Sequence, residues 1–542
     1  MNNYRTLFDK TNKIWSGAGG TSLPQWDQKQ SLGSALLNVL AKFPDKIGQI
    51  SENNGIQMTN GEIRWRSIRA AQNLINLGIG FDDVIQVISK NHHYLAPIMF
   101  GALSIGAPIN AIDVQFTKDE MVHMLQLAKP KLILCDLSVL DTLNGALKQL
   151  QMDRPIFAFD GSADGVQNVE VLFNETDVES FEPPPLIDAN KHTAIIVCTS
   201  GTTGFPKGVC LSHISLMAKC IKTGISSDDV MLNFSSLYWL TGWATILMTT
   251  LNSATRIITT KPFTSEIWLD IVQRHKVTVT LTPPHFMALI LQDPKLNTTD
   301  ISSLKLFFCT GGMVSHDVCD RMNKRMPNGV VCVAYAMSET AGFISGNISA
   351  LRPGSVGQLF PGFDAKIIND NGDQCGIGEN GEIYFKPAYR FISYYGDEEN
   401  TIKTMDSDGW IRTGDLGHFD DEGFLYLIDR QKEILKYFSS QVSPSELESV
   451  LMQHPGVGNV CVVGIPDDLA GDLPAAVIIK SATTDVTEDD INSLMKTKLS
   501  DVKQLRGGIY FVDELPVTPS GKVLRRKVQE IALKFRKERS AL

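Results

Sequence analysis

Short runs of β-branched and apolar residues alternate with helical patterns along most of this 542-residue chain. Such alternation is typical of an α/β fold, because strands joined by helices lie parallel to one another in a sheet. The chain is also longer than one compact domain normally is. We therefore predict α/β subdomains with largely parallel sheets, whose strands include residues 83–89, 131–136, 155–160, 193–200, 255–260, 277–283, 304–311 and 330–338.

The pattern changes in the last third of the chain. Between residues 354 and 428, short strand patterns such as DAKIIND and GEIYFK are separated by glycine turns. Several short strands at such spacing are typical of antiparallel β structure. We predict a small β-rich subdomain here, still within the N-terminal domain.

A second change follows Asp429. The segment SPSELESVLMQH predicts a helix, because Ser443 suits the N-cap, Pro444 suits the first turn and Glu446 would complete a capping box. Two strand patterns and the helix opened by TEDDINSLM come next, which together indicate an α+β unit. We predict a large N-terminal domain and a small C-terminal domain, with boundaries at residues 1–428 and 429–542.

The segment VCTSGTTGFPKGV, residues 197–209, joins an apolar strand to a loop rich in glycine and hydroxyl side chains. Glycines allow backbone amides to approach an anion, and Lys207 adds a positive charge. The loop is not a Walker A motif, because Pro206 stands where that motif has glycine and Gly208 follows the lysine. Taken alone, the pattern indicates either an anion-binding loop or a flexible solvent loop.

Composition narrows the function classes. A formal net charge of −10 argues against bulk nucleic-acid binding, which requires a basic face. The nine cysteines are scattered and contain no C-x-x-C pair, so we expect buried free thiols rather than disulfides or zinc ligands. The polar N-terminus contains no signal-peptide pattern, and two apolar stretches, residues 94–112 and 231–255, are predicted to be buried rather than transmembrane.

Four further segments, in this order, follow the glycine-rich loop. They are YAMSET, WIRTGDLG, LIDRQKEILK and PVTPSGKVLRR, which begin at residues 335, 410, 427 and 516. Together with the loop they resemble the adenylate-forming superfamily, which includes acyl-CoA synthetases, coumarate-type CoA ligases, peptide-synthetase adenylation domains and beetle luciferases. The resemblance spans nearly the whole chain. It implies a mobile C-terminal domain and a reaction in which a carboxylate attacks ATP to give an acyl-adenylate, from which a thiol, usually of coenzyme A, displaces AMP.

The resemblance also implies roles for residues around the nucleotide. Glu339 is similar to the Mg²⁺ ligand, Tyr335 to the aromatic residue that stacks on adenine, and Asp415 to the carboxylate that holds the ribose hydroxyls. Arg430 is similar to an arginine that contacts ribose and phosphate. The residues implied to clamp the β- and γ-phosphates are Thr199, Ser200, Gly201, Thr202, Thr203, Gly204 and Lys207, and those implied to line the purine slot are Gly311, Gly312, Ala336, Met337 and Ser338.

The C-terminal segments carry the remaining implied roles. Lys522 is similar to the catalytic lysine that binds the carboxylate and the α-phosphate, and Lys432 lies where the family has its hinge. Lys436 resembles a residue of the face that approaches CoA after the domain rotates. Ser439 stands near a position where the family often has glycine for the passage of pantetheine, so the sequence leaves open whether thioester formation with CoA is efficient. Ala336 also replaces a common glycine.

The segment SSLYWLTGW, residues 235–243, aligns with the substrate gate of the family. Beetle luciferases have adjacent histidines followed by glycine there, whereas this chain has Tyr238, Trp239 and Leu240. The stretches implied to line the acid pocket contain no charged residue, which favours a medium- or long-chain fatty acid, with an aromatic acid as the second choice. The acid-binding residues implied by the resemblance are Trp239, Gly311, Ala341 and Gly342.

We therefore predict an AMP-forming acid–thiol ligase, an acyl-CoA synthetase that uses ATP, Mg²⁺, coenzyme A and a small carboxylic acid. A luciferase-type monooxygenase is the first alternative, and a binding protein that only retains the fold is the second. The last residues, Ser540, Ala541 and Leu542, resemble the peroxisomal tripeptide without its basic middle residue. A cytoplasmic or peroxisomal location is expected.

Overall fold

The computed structural model describes residues 5–18, 26–199, 207–220, 224–311, 316–347, 352–369, 371–430, 435–438, 440–481, 484–516 and 525–540. Strands are numbered in chain order within these ranges. They are β1 (Arg5–Asp9), β2 (Ile14–Ala18), β3 (Ile47–Ser51), β4 (Gln57–Thr59), β5 (Ile85–Ile88), β6 (Ile109–Ala111), β7 (Leu132–Cys135), β8 (Ile156–Ala158), β9 (Val166–Asn168), β10 (Thr193–Thr199), β11 (Lys207–Ser212), β12 (Val230–Leu232), β13 (Thr255–Ile258), β14 (Val279–Thr282), β15 (Leu306–Cys309), β16 (Val330–Met337), β17 (Gly342–Gly346), β18 (Gln358–Leu359), β19 (Phe363–Ile368), β20 (Gly381–Pro387), β21 (Ser393–Tyr394), β22 (Ile411–Phe419), β23 (Leu425–Arg430), β24 (Leu435–Tyr437), β25 (Ser440–Val442), β26 (Val457–Asp467), β27 (Gly471–Lys480) and β28 (Gly508–Val512).

The helices are numbered in the same way. They are α1 (Leu32–Leu40), α2 (Asn60–Asn76), α3 (Leu95–Ser104), α4 (Lys118–Ala128), α5 (Leu140–Leu150), α6 (His213–Cys220), α7 (Leu240–Leu251), α8 (Ser265–His275), α9 (Pro284–Gln292), α10 (His316–Arg325), α11 (Glu398–Thr404), α12 (Pro444–Leu451), α13 (Glu488–Lys498) and α14 (Arg525–Ser540).

Two large sheets form the centre of the N-terminal part. One has the strand order β21-β11-β10-β6-β5-β7-β8-β9, and the other has the order β18-β17-β16-β15-β14-β12-β13-β3-β4. Their interior pairs are parallel, while antiparallel pairs such as β10–β11 and β16–β17 lie toward one edge. All eight strands predicted from the sequence are present in these sheets, which confirms the α/β prediction.

A third sheet is antiparallel and has the order β1-β2-β19-β20-β22-β23. It confirms the β-rich subdomain, but it also includes the N-terminal hairpin β1–β2, which sequence patterns did not indicate. The hairpin joins at β19, where Trp15 pairs with Ala365. Trp15 is fully buried there and stacks between Phe8 and Phe419.

The C-terminal part has its own sheet, in the order β25-β24-β27-β26 with β28 parallel to β27, and its own hydrophobic cluster. Ser443 accepts from the N–H of Glu446 at 3.3 Å, which confirms the predicted N-cap of α12. The prediction that Glu446 completes the capping box is wrong. Its carboxylate accepts a hydrogen bond from Lys503 rather than from the backbone N–H of Ser443. The α+β architecture of this part is confirmed.

Both apolar stretches of the sequence contribute buried helices. The first contains α3, all of whose residues are buried against α1 and α2, and the second contains α7, most of whose residues are buried. Among the described residues, no helix combines the length and the apolar character needed to cross a bilayer. All nine cysteines are buried free thiols, as expected.

Candidate active site

A cavity of about 1020 Å³ lies where the two large sheets, the antiparallel sheet and the hairpin β24–β25 meet. The carboxyl ends of β10, β15 and β16 open into it, which is where parallel sheets commonly hold ligands. The structure brings most of the predicted site residues together in this one cavity. Those that line it are Thr199, Lys207, Trp239, Gly311, Ala336, Met337, Ser338, Glu339, Ala341, Gly342, Asp415 and Lys436.

Other predicted residues lie outside the described part of the chain. In the glycine-rich loop, Thr199 and Lys207 form the last pair of the β10–β11 hairpin and bracket the residues between them. The backbone of Arg430 is described, and it pairs with Asp415 in the register of β22 and β23. The predicted residues about which the structure says nothing are Ser200, Gly201, Thr202, Thr203, Gly204, Gly312, Lys432 and Lys522, together with the side chain of Arg430.

Glu339 and Lys207 are linked through a tyrosine that sequence reasoning missed. The hydroxyl of Tyr394 donates to Oε1 of Glu339 at 2.7 Å, and Nζ of Lys207 lies 5.0 Å from the centroid of the Tyr394 ring. Burial, together with the Glu339 carboxylate, raises the pKa of the Tyr394 phenol well above its usual range, so it stays a donor. The tyrosine therefore positions a carboxylate and holds it near an ammonium group.

Tyr394 is brought here by long-range pairing. It lies on the two-residue strand β21, opposite Val209 of β11 and therefore beside the hairpin that carries Lys207. A two-residue strand in a loop-rich segment has no periodic signal. The sequence signal that could have drawn attention to Tyr394 as a site residue is the pair of adjacent tyrosines at 394 and 395.

Asp415 is held by a second tyrosine. The hydroxyl of Tyr335 donates to Oδ2 of Asp415, and the backbone N–H of Asp415 donates to Oγ1 of Thr413 at 2.9 Å. The ring of Tyr335 is buried in the core beside Phe385 and is not among the residues that line the cavity. The predicted stacking of Tyr335 on adenine stays a prediction, and its observed contact is with the predicted ribose-binding carboxylate.

Two glycines leave backbone exposed on the cavity wall. Gly311 has φ +89° and Gly342 has φ +134°, both in the region that disfavours L side chains. A Cβ at either position would meet no atom within 4 Å, so each glycine faces open space. Ala336 and Met337 also line the cavity and belong to β16, the strand between β15, which Gly311 follows, and β17, which Gly342 begins.

Another part of the wall is a groove with aromatic sides. Trp239, just before α7, lies edge-on to Tyr238 with ring centroids 4.8 Å apart. Phe263 and Phe286 stack with centroids 3.6 Å apart, and Phe234 meets Phe263 edge-on at 5.3 Å. An apolar groove with aromatic sides is suited to the hydrocarbon part of a ligand.

A lysine from a neighbouring helix also lines the cavity. Lys219, from α6, lines the cavity, and its Nζ lies 3.3 Å from the centroid of the Phe363 ring. Burial lowers the pKa of this lysine to about 7. The stretches singled out from the sequence contain no charge, but Lys219 comes from a different helix, which packs against α7.

The C-terminal part closes the mouth of the cavity with Lys436, Gln441 and Pro444, from β24, β25 and the start of α12. The backbone N–H of Lys436 donates to Oδ2 of Asp472 at 2.9 Å, which fixes the hairpin on its own sheet. The predicted CoA-side residue Lys436 therefore faces the cavity in this structure.

A buried ion cluster holds the two parts together. Nζ of Lys503 donates to Oε1 of Glu120, on α4, at 2.6 Å and to Oε1 of Glu446 at 2.8 Å. The three side chains are only 8%, 2% and 3% exposed. Burial raises the pKa of Glu446, whereas the two carboxylates keep Lys503 charged and raise its pKa despite burial.

A second, more exposed pair lies beside this cluster. Lys498 contacts Asp119 at 2.8 Å, with side chains 37% and 42% exposed. The first cluster also lies near the segment predicted to form the substrate gate, because Nζ of Lys503 lies 5.6 Å from the centroid of Phe116, which meets Tyr238 edge-on at 5.4 Å. We call Lys503, Glu120 and Glu446 the docking triad.

Comparison with known proteins places this geometry in a family. The model of the AMP-binding enzyme family matches residues 37–395, and that of the AMP-binding enzyme C-terminal domain matches residues 446–522. The amide bond synthetase McbA from Marinactinospora thermotolerans has the same fold, with a TM-score of 0.82 and 22% identity over 93% of this chain and 99% of that chain.

Curated relatives share more of the sequence. The chain is 28% identical to 4-coumarate–CoA ligase 3 of Oryza sativa subsp. japonica, over 89% of this chain and 88% of that protein. It is also 28% identical to the luciferin 4-monooxygenase of Photuris pensylvanica, over 94% of this chain and 96% of that protein. The family models and the fold are those of the adenylate-forming enzymes, which confirms the resemblance found in the sequence. The chain belongs to the AMP-binding enzyme family.

Proposed function

We propose that the protein is an AMP-forming acyl-CoA synthetase. A carboxylate oxygen attacks the α-phosphorus of ATP and pyrophosphate leaves, and the thiol of coenzyme A then attacks the acyl carbon of the adenylate and AMP leaves. The observation that carries this proposal is a single cavity that combines a charged end with an apolar groove. Lys207, Glu339 and Asp415 lie at the charged end, and the phenylalanines and Trp239 line the groove.

The charged end suits a nucleotide triphosphate. Lys207 supplies positive charge beside the hairpin whose glycine-rich loop we assign to the phosphates. Asp415, fixed by the hydroxyl of Tyr335, accepts hydrogen bonds from the ribose hydroxyls. The exposed backbone at Gly311 and Ala336 takes the purine face.

Magnesium is compatible with Glu339. The described residues contain no group of three or more metal-binding side chains, which agrees with an ion held by one carboxylate, substrate phosphates and water. Tyr394 occupies only Oε1 of Glu339, so Oε2 supplies the hard oxygen that such an ion prefers. Bound there, the ion would offset the negative charge of the phosphates. Tyr394 orients the carboxylate, and Lys207 adds positive charge beside the Tyr394 ring.

In this proposal the two half-reactions use two different positions of the C-terminal domain. We place the domain boundary between residues 428 and 429 and the hinge at Lys432. With Lys436 at the cavity mouth, the docked arrangement favours thioester formation. Adenylation needs Lys522 at the α-phosphate, so the C-terminal domain would rotate to bring that lysine in. A cytoplasmic or peroxisomal location remains part of the proposal.

The groove favours a medium- or long-chain acid, with an aromatic acid as the second choice, because Trp239, Phe263 and Phe286 give it aromatic sides. The similarity to a luciferin 4-monooxygenase keeps an oxygenase as the second candidate function. In that case the adenylate would react with oxygen instead of a thiol.

The test is a carboxylic-acid panel in ATP–pyrophosphate exchange, followed by AMP release with and without coenzyme A. We expect acid-dependent exchange and CoA-dependent AMP release. The same reactions run in a luminometer with oxygen and candidate luciferins should stay dark. Nucleotide binding without exchange for any acid would overturn the proposal, and light emission without thioester formation would favour the oxygenase.

A further inference from the structure

One wall of the cavity runs along α7. Leu240, Ala244 and Met248 are four residues apart, so they share one face of the helix, and all three line the cavity. The wall between the first and the last of them is about 12 Å long at the rise of an α-helix. It is as long as the chain of a medium-sized acid.

This wall begins beside the charged end. Tyr238, just before α7, packs against the cluster that contains Cys198, the neighbour of Thr199 in the β10–β11 hairpin. At the other end of α7, Nδ2 of Asn252 donates to the carbonyl oxygen of Cys220 at 2.9 Å. Because Cys220 is the last residue of α6, Lys219 lies at the end of the wall that is farthest from the hairpin.

The environment of Lys219 does not satisfy its charge. Within the described ranges, its ammonium group makes neither an ion pair nor a hydrogen bond, and it lies against the face of Phe363. An aromatic face offsets only part of the cost of a shielded charge. Burial lowers the pKa of Lys219 to about 7, which reflects that unmet cost. A methionine or leucine would fill the same space without this penalty, so the ammonium group points to a ligand with an acceptor at this place.

We infer that Lys219 is a specificity-determining residue that pairs with a second carboxylate at the far end of the acid. The substrate class is then an α,ω-dicarboxylic acid: one carboxylate is activated beside Lys207 and Glu339, the methylene chain lies along α7, and the other carboxylate accepts from Lys219. This inference rests on the proposed function, because it names the acid of the same cavity.

The experiment compares α,ω-dicarboxylic and monocarboxylic acids of equal chain length in ATP–pyrophosphate exchange. For the wild-type protein we expect kcat/KM to be about 10-fold or more higher for the dicarboxylic acid. In Lys219→Met this preference should disappear, through loss of activity with the dicarboxylic acid, while kcat/KM for the monocarboxylic acid changes by less than about threefold.

Two further variants make the result specific. Lys219→Arg retains the charge and should restore part of the preference, while thermal unfolding checks that each variant is folded. Lys261 is an exposed lysine that also lines the cavity, and Lys261→Met should leave the ratio between the two acids unchanged.

The outcomes separate this inference from the proposed function. Equal or better activity with monocarboxylic acids in the wild type, or an unchanged ratio in a folded Lys219→Met, would overturn the role of Lys219 and leave the ligase proposal standing. Absence of exchange with every acid would overturn the proposed function, and this inference with it.

Discussion

The two ends of the cavity differ in how their charged groups are satisfied. At the end near the glycine-rich loop, Glu339 accepts from Tyr394, Asp415 accepts from Tyr335, and Lys207 lies above the Tyr394 ring. At the far end, the ammonium group of Lys219 lies against the face of Phe363 and makes no ion pair with any residue that the structure describes. At the first end, the protein itself orients the charged groups before a ligand binds. At the second end, the ligand supplies the counter-charge of Lys219.

This difference assigns the reaction rate to the end near the glycine-rich loop and the selectivity among acids to the end at Lys219. Groups whose orientation is fixed by the protein lose little by reorganising when charge develops, which favours reaction rate. A buried ammonium without a counter-charge instead favours the ligand that supplies one. Changes near Tyr394 or at the domain interface should therefore alter rates for all acids alike, and changes at Lys219 should alter the ratio between acids.

The largest rate effect is expected at the docking triad. Lys503→Met leaves the Glu120 and Glu446 carboxylates buried without a counter-charge, which disfavours the docked arrangement by about 3–5 kcal/mol. Thioester formation from supplied acyl-adenylate should fall at least about 10-fold, because undocking removes Lys436 and Gln441 from the cavity mouth. Pyrophosphate exchange should persist, with its acid preference unchanged. Single-turnover assays of the two half-reactions measure this.

Lys498→Met is the matched control for that variant. The Lys498–Asp119 pair spans the same interface but is partly exposed, so its loss should change the rates by no more than a few fold, the equivalent of about 1 kcal/mol. Equal effects of the two variants would show that the buried triad does not hold the domains in place. A changed acid preference in Lys503→Met would contradict the separation of the two ends.

A smaller effect is expected at Tyr394. Tyr394→Phe removes the hydrogen bond to Glu339 and retains the ring beneath Lys207, so the carboxylate loses its orientation but not its charge. We expect kcat of pyrophosphate exchange to fall about 5- to 10-fold, in line with the loss of one hydrogen bond to a charged group. The apparent affinity for Mg²⁺ should weaken, and acid preference should not change.

Tyr395→Phe controls for substitution in the same short segment. Tyr395 follows β21 and packs beside Ile196 and Cys210, away from the residues that line the cavity. Its hydroxyl should be dispensable for exchange. If Tyr394→Phe matched this control, Glu339 would not depend on Tyr394 for its position.

Most of the fold follows from local patterns in the sequence. The eight strand patterns correspond to observed strands, and Thr487 begins α13 with a complete capping box, as Thr117 does for α4. Strands and helix starts of this kind are determined by residues that lie within a few positions of one another in the sequence. The pairing of β2 with β19 joins segments about 350 residues apart and leaves no local signal, so the N-terminal hairpin was missed.

The site residues also divide into those that the sequence motifs identified and those that they did not. Residues within the motifs, such as Lys207, Glu339 and Asp415, line one cavity, and their roles toward a nucleotide stay predictions. Tyr394, Lys219 and Lys503 lie outside the motifs, and their contacts arise only when distant segments pack together. Glu446 shows the limit of a local rule, because its carboxylate pairs with Lys503 rather than with the start of its own helix.

The most direct measurement is a crystal structure with a non-hydrolysable analogue of a dicarboxylic acyl-adenylate. We expect the purine against the backbone of Gly311 and Ala336, the ribose hydroxyls within hydrogen-bond distance of Asp415, and the acyl chain along α7 with its free carboxylate at Lys219. A purine bound beside Met248, or an acyl chain that leaves the cavity past Lys436, would contradict it.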